Sequence, residues 1–196
     1  MPETIVHPTV IVSDPLTFSA PALEPPLMKA LYSAMQWWEM YGLWVYYAPL
    51  KLVWLTESGR EPIDLTMNNP WGKVYQNVIG DTGLGVPPHH KHLVFLQGWD
   101  NQSYLGWGGD PLALVGEYVL RAFLSMGAPE AIMDDVLARN VVLHETGHVL
   151  GLSHDAPGTG GIMHDWWLPE AKLLVKPWQA ALSGSPGAAS ACILPL

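Results

Sequence analysis

The segment VVLHETGHVLGLSHDAPGTGGIMHDWW, residues 141–167, sets three histidines and a glutamate around a glycine, with a methionine further on. Residues four apart on a helix share one face, so His144 and His148 can bring two imidazole nitrogens to one ion. Glu145 is displaced by about 100° around the same helix. It would stand beside such an ion rather than on it, where a carboxylate can act as base on a water. Gly151 can take the left-handed conformation that ends a helix and return His154 to the ion from another side. Imidazole ligands of this kind suit Zn2+, although cobalt or nickel could occupy the same tripod. Three neutral imidazoles would leave zinc its double charge and an open fourth position, lowering the pKa of a bound water to about 7.

Composition decides how specific this pattern is. A shuffled chain of the same composition would contain HExxH roughly once in 70 trials, which makes two helix-surface histidines a serious competitor. Adding Gly151 and His154 at their spacing drops the expectation to roughly one in 20,000.

HETGHVLGLSH resembles the zinc signature of the metzincin metallopeptidases, and Gly161-Ile162-Met163-His164 resembles their Met-turn. The spacing between His154 and Met163 is most similar to the compact members, matrixin-like or snapalysin-like, and the specific match covers about residues 141–164. The resemblance implies an α+β fold with a mixed twisted sheet, an active-site helix and a small C-terminal subdomain after the third ligand. It implies a zinc endopeptidase acting on a protein or peptide, with His144, His148 and His154 on the metal, Glu145 as general base and Met163 as a structural floor. Its location would be extracellular. HLVFLQGWDNQSYLGWGGD resembles the family's edge strand, so Gly106, Trp107 and Gly108 are expected along an extended substrate. His164, Trp166 and Trp167 are expected to wall the pocket for the residue after the cut, with packing an equal alternative for each tryptophan.

Three departures qualify the resemblance. Snapalysin-like enzymes carry Asp as third ligand, whereas His154 stands there and Asp155 follows, leaving Asp155 as the alternative ligand. Asp165 stands where some members carry an additional tyrosine ligand. No zinc-blocking cysteine precedes the motif, and Cys192, the single cysteine, can form no intrachain disulfide.

Two other classes fit the same histidines. A binding or structural protein could use zinc only to fasten its fold and would not need Glu145. A zinc hydrolase of a non-protein amide would need the same tripod.

The 196 residues are 49% hydrophobic, enough for one domain with a sizeable core. A formal charge of −9 without a basic cluster argues against nucleic acid or an anionic membrane as partner. The most apolar stretch, residues 43–55, is broken by Pro49 and Lys51 and is too short to span a bilayer. The opening MPETIVHPTVIVSDP lacks the basic and apolar regions of a signal peptide.

The elements that must position the site follow from periodicity. Residues 1–26 read as a strand followed by a proline-rich arm and 183–196 as a flexible tail, which leaves 27–182 as the domain that the resemblance implies is a metallopeptidase-like catalytic one. A helix is expected from Pro26 to Tyr41, capped at Gly42. Short strands are expected at 43–48, 52–56, 74–79, 92–97 and 104–107, and helices at 112–126, 129–150 and around 178–182. Of the ten tryptophans, Trp37, Trp38, Trp44 and Trp54 fall in helix or strand patterns as core candidates. His89, His90 and His92 read as a solvated turn rather than a second metal site. Gly108-Gly109-Asp110 reads as a turn, since one carboxylate is too few for Ca2+.

Overall fold

The computed structural model describes residues 4–12, 19–40, 42–54, 91–97, 104–125, 132–154, 162–163 and 190–193. The β-branched run near the N-terminus forms β1 (Thr4–Val12) and lies inside the sheet. Along one side β1 pairs in parallel with β2 (Val45–Tyr47) and then β3 (Lys51–Trp54), and along the other with β4 (Lys91–Leu96). Pro8 falls between the β2 pairing at Thr4–Val6 and the β3 pairing at Thr9–Val12. A residue without an N–H is tolerated there because that part of the ladder changes partner.

β4 pairs in parallel with β6 (Leu112–Val115), which pairs antiparallel with β5 (Tyr104–Gly108). β5 in turn pairs antiparallel with β7 (Ser190–Ile193), giving the order β2-β1-β4-β6-β5-β7 with β3 also on β1. The fold is therefore a mixed sheet with helices, as expected, and β5 runs against its neighbours.

Three helices among the described residues, α1 (Ala20–Met40), α2 (Glu117–Ser125) and α3 (Ile132–Val149), pack with one another and onto the sheet. Val6, Val10, Leu93, Phe95, Ala113 and Val115 meet Leu27, Leu31, Trp38, Val119, Phe123 and Val142 in one core. Val94, Leu96, Leu112 and Leu114 are equally shielded on the opposite pleat. Burial on both faces explains why these strands read as continuous apolar runs. No helix among the described residues is long and apolar enough to cross a membrane.

Several expectations shift. Residues 112–115 were expected to open a helix but form β6. The four-residue run LALV is apolar throughout, so it has no periodicity to separate buried strand from helix, and Gly116 starts the helix instead. α1 begins at Ala20 rather than Pro26, with Pro25 and Pro26 inside it. The Ser19 carbonyl accepts from Ala22 and Leu23 and holds the first turn. Residues 190–193, expected in a flexible tail, form β7. Trp37 and Trp38 are core, but Trp44 is exposed, because it precedes β2 at the rim of the sheet. The strand at 74–79, the helix around 178–182 and the Trp54 side chain lie outside the described residues.

Both predicted glycine caps hold. Gly42 and Gly151 have φ of 76° and 91°. After α1, Gly42 N–H reaches Glu39 O at 2.9 Å and Leu43 N–H reaches Trp38 O at 3.1 Å, the double bond of a Schellman turn.

One half-buried bond ties β2 to α3. Thr146 Oγ1 donates to Val142 O at 2.7 Å, so its proton is committed and the Tyr47 hydroxyl donates to Thr146 Oγ1 at 2.8 Å. Burial pushes the Tyr47 phenol well above its usual value, against the opposing effect of this bond. Tyr47→Phe is expected to lower stability by about 1 kcal/mol. Denaturant titration checks it, and an unchanged midpoint at unchanged slope would mean the bond contributes nothing.

Candidate metal centre

α3 passes beneath β6, β5 and β4 and delivers His144, Glu145 and His148 beside the sheet. Its end is a second Schellman turn: Gly151 N–H reaches His148 O and Leu152 N–H reaches Gly147 O, each at 2.9 Å. This turn brings His154 back toward the helix. The Nε2 atoms of the three histidines then converge, His144 to His148 at 3.0 Å and His154 to each of them at 3.1 Å.

The outer ring nitrogens decide what this convergence means. His144 Nδ1 lies 2.7 Å from Ile162 O and His148 Nδ1 lies 2.9 Å from Leu152 O. A carbonyl only accepts, so both Nδ1 atoms carry hydrogen, and in the neutral rings both Nε2 atoms present lone pairs. Burial, reinforced by the charges of His144 and His154, holds His148 well below the usual imidazole range despite the opposing bond to Leu152. Two lone pairs 3.0 Å apart repel unless a cation stands between them.

The donor set fits zinc. Nitrogens about 2.0–2.1 Å from one tetrahedral ion stand about 3.3–3.4 Å apart, close to what is observed. Carbonyls that fix the tautomer of ligating imidazoles are a regular feature of such sites. His144 and His148 are buried and His154 is half-buried. Among the described residues it is the cluster of three or more His, Cys, Asp or Glu able to hold a metal.

Glu145 is fully buried next to these histidines, and neither carboxylate oxygen has a hydrogen-bond partner among the described residues. Desolvation holds its carboxyl well above the usual carboxylate range. Its neighbours are glycines. A side chain begun at Gly106 would collide with the Glu145 carboxylate, and one begun at Gly108 would meet Glu145 Oε2 at 2.5 Å and His148 Cβ at 2.6 Å. Gly106 and Gly108, expected along a substrate, thus give β5 its close approach to α3. Trp107, between them, points to the opposite pleat.

Met163 is fully buried, with its sulfur against Gly147, and Trp38 closes the same spot. The methionine thus packs against the helix turn that bears His144 and His148. Sequence reasoning missed Gly147 and the carbonyls of Leu152 and Ile162. Gly147 left a signal, since a glycine inside a helix costs about 1 kcal/mol and is usually present for a packing reason.

β5 does not end in a free edge, because β7 pairs with it. His92, expected in a solvated turn, is buried on β4 in register with His7 of β1, the ring centroids 5.9 Å apart. It sits there because the strand begins at Lys91, one residue earlier than expected. Asp110 pairs with Lys91 at 2.7 Å. His89, His90, Asp155, His164, Trp166 and Trp167 lie outside the described residues.

No protein-family model matches the chain, and no curated protein matches it. Among solved structures, a zinc-dependent peptidase from Methanocorpusculum labreanum is similar with a TM-score of 0.38 and 14% identity, over 91% of this chain and 93% of that one. That likeness is too slight to bear on function. What the site can do follows from its own geometry.

Proposed function

We propose that the protein is a zinc-dependent endopeptidase of metzincin type, in which His144, His148 and His154 hold the metal and Glu145 is the general base. The observation that carries this reading is the convergence of three imidazole nitrogens next to a buried carboxylate that has no hydrogen-bond partner among the described residues. A site that only fastened the fold would have no use for that carboxylate, which is costly to bury.

Zinc, when bound, supplies a water acidic enough to ionise near neutral pH and an electrophile for the developing oxyanion. The rest is done by the chain. Glu145 takes the proton of the attacking water and returns it to the departing amine, two transfers suited to a carboxyl whose pKa is raised. Leu152 and Ile162 hold the rings of His148 and His144, and Met163 supports the turn between them. The remaining proposals concern substrate: a protein or peptide, with His164, Trp166 and Trp167 shaping the pocket after the cut.

Two measurements test the reading. Elemental analysis of protein purified without added metal is expected to give about one zinc per chain, and less than half an equivalent would count against a resident metal. Incubation with denatured protein or a peptide library is expected to yield new termini that a chelator abolishes. Bound zinc without any cleavage would leave a fastening site or a non-protein amide as substrate.

A further inference from the structure

We propose that β7 is a displaceable occupant of the sheet edge along which a peptide substrate would lie, so that the chain's own C-terminal strand competes with substrate for β5. This rests on the peptidase reading for its consequence, though not for the contact itself. β7 runs antiparallel to β5 with Gly106 opposite Cys192, Trp107 opposite Ala191 and Gly108 opposite Ser190. Gly106 and Gly108 are the residues against which Glu145 and His148 pack. The backbone of β7 therefore passes about 4.8 Å, one strand spacing, from the strand that borders the site.

An extended peptide is held most simply by adding a strand to an open edge. The opposite edge of this sheet, formed by β2 and β3 on β1, is separated from β5 by β4 and β6 as well. Among the described strands, β5 is the one that packs its glycines against Glu145 and His148, and its outer side is paired by β7.

The occupant is built to be weak. β7 has four residues, and its register with β5 breaks between Tyr104 and Gly106, whereas β1 and β4 pair without a break from Val6 to Ile11. The segment SGSPGAASACILPL, residues 183–196, carries no charged side chain and consists mostly of small residues. Backbone bonds are what such a segment offers, and any extended peptide offers the same. A tethered strand nevertheless competes at an effective concentration on the order of millimolar.

The test uses the full chain with Ala191→Pro and, separately, Cys192→Pro. Successive strand residues direct their N–H groups to opposite sides, so one of the two removes a donor that faces β5. A fluorescent peptide of sequence GAASACILPL, residues 187–196, is titrated into each protein, and KM and kcat are measured on an unstructured peptide. One variant is expected to bind the peptide about tenfold more tightly than the native chain and to show a KM about tenfold lower at unchanged kcat. Equal peptide binding by all three proteins overturns the proposal. Loss of cooperative unfolding or of zinc in both variants also overturns it, because β7 would then be a structural strand. Tighter peptide binding by a variant, with no hydrolysis by any form, supports the competition and removes the peptidase reading instead.

Discussion

Glu145→Gln is expected to retain about one zinc per chain while kcat/KM falls by about 10³-fold, the usual contribution of a positioned general base. Glutamine preserves the shape and removes only the proton acceptor. It also removes the cost of placing a carboxylate where burial leaves both oxygens without partners among the described residues, so the melting temperature should hold or rise. His148→Ala makes the contrast. It deletes one of three converging nitrogens and should lose metal and activity together. Elemental analysis, calorimetry and hydrolysis of one peptide separate these outcomes. A Glu145→Gln protein within twofold of native kcat/KM would sink the base assignment and favour a zinc that fastens the fold.

The candidate site was legible in sequence where its geometry depends on spacing along one element. His144 and His148 share a helix face whatever lies around them, and Gly151 announces its own turn by being the residue that tolerates φ of 91°. Met163 was legible only through its resemblance to a motif, since a lone methionine reads as core filling. What stayed hidden depends on which strands meet. The 112–115 run has no polar residue to mark its period, so its strand state comes from burial between β4 and β5. The pairing of β7 with β5 joins segments more than 80 positions apart, and a tail of small residues gives no alternation from which to read it. The Nδ1 partners of His144 and His148 are backbone carbonyls, which leave no trace in residue type.

Gly108→Ala is expected to damage the site more than Gly106→Ala, and the difference reports how β5 and α3 are packed. The three atoms nearest to a methyl at Gly106 all belong to the Glu145 side chain, with Cδ at 2.5 Å and Cγ at 2.8 Å. That side chain can swing aside, so activity should fall steeply while zinc stays bound. A methyl at Gly108 meets Glu145 Oε2 at 2.5 Å but also His148 Cβ at 2.6 Å and Cδ2 at 2.9 Å. Cβ is fixed to the helix backbone, and the His148 ring is held by Leu152 O at 2.9 Å, so neither can yield alone. The strand and helix must separate, with an overpacking cost of about 1–3 kcal/mol and a displaced ligand. Chelator competition should therefore show weaker zinc retention in Gly108→Ala than in Gly106→Ala, and thermal unfolding should show a lower midpoint. Native zinc affinity and native kcat in Gly108→Ala would mean that β5 does not press on His148, and the close strand-to-helix approach that positions the candidate base would have to be abandoned.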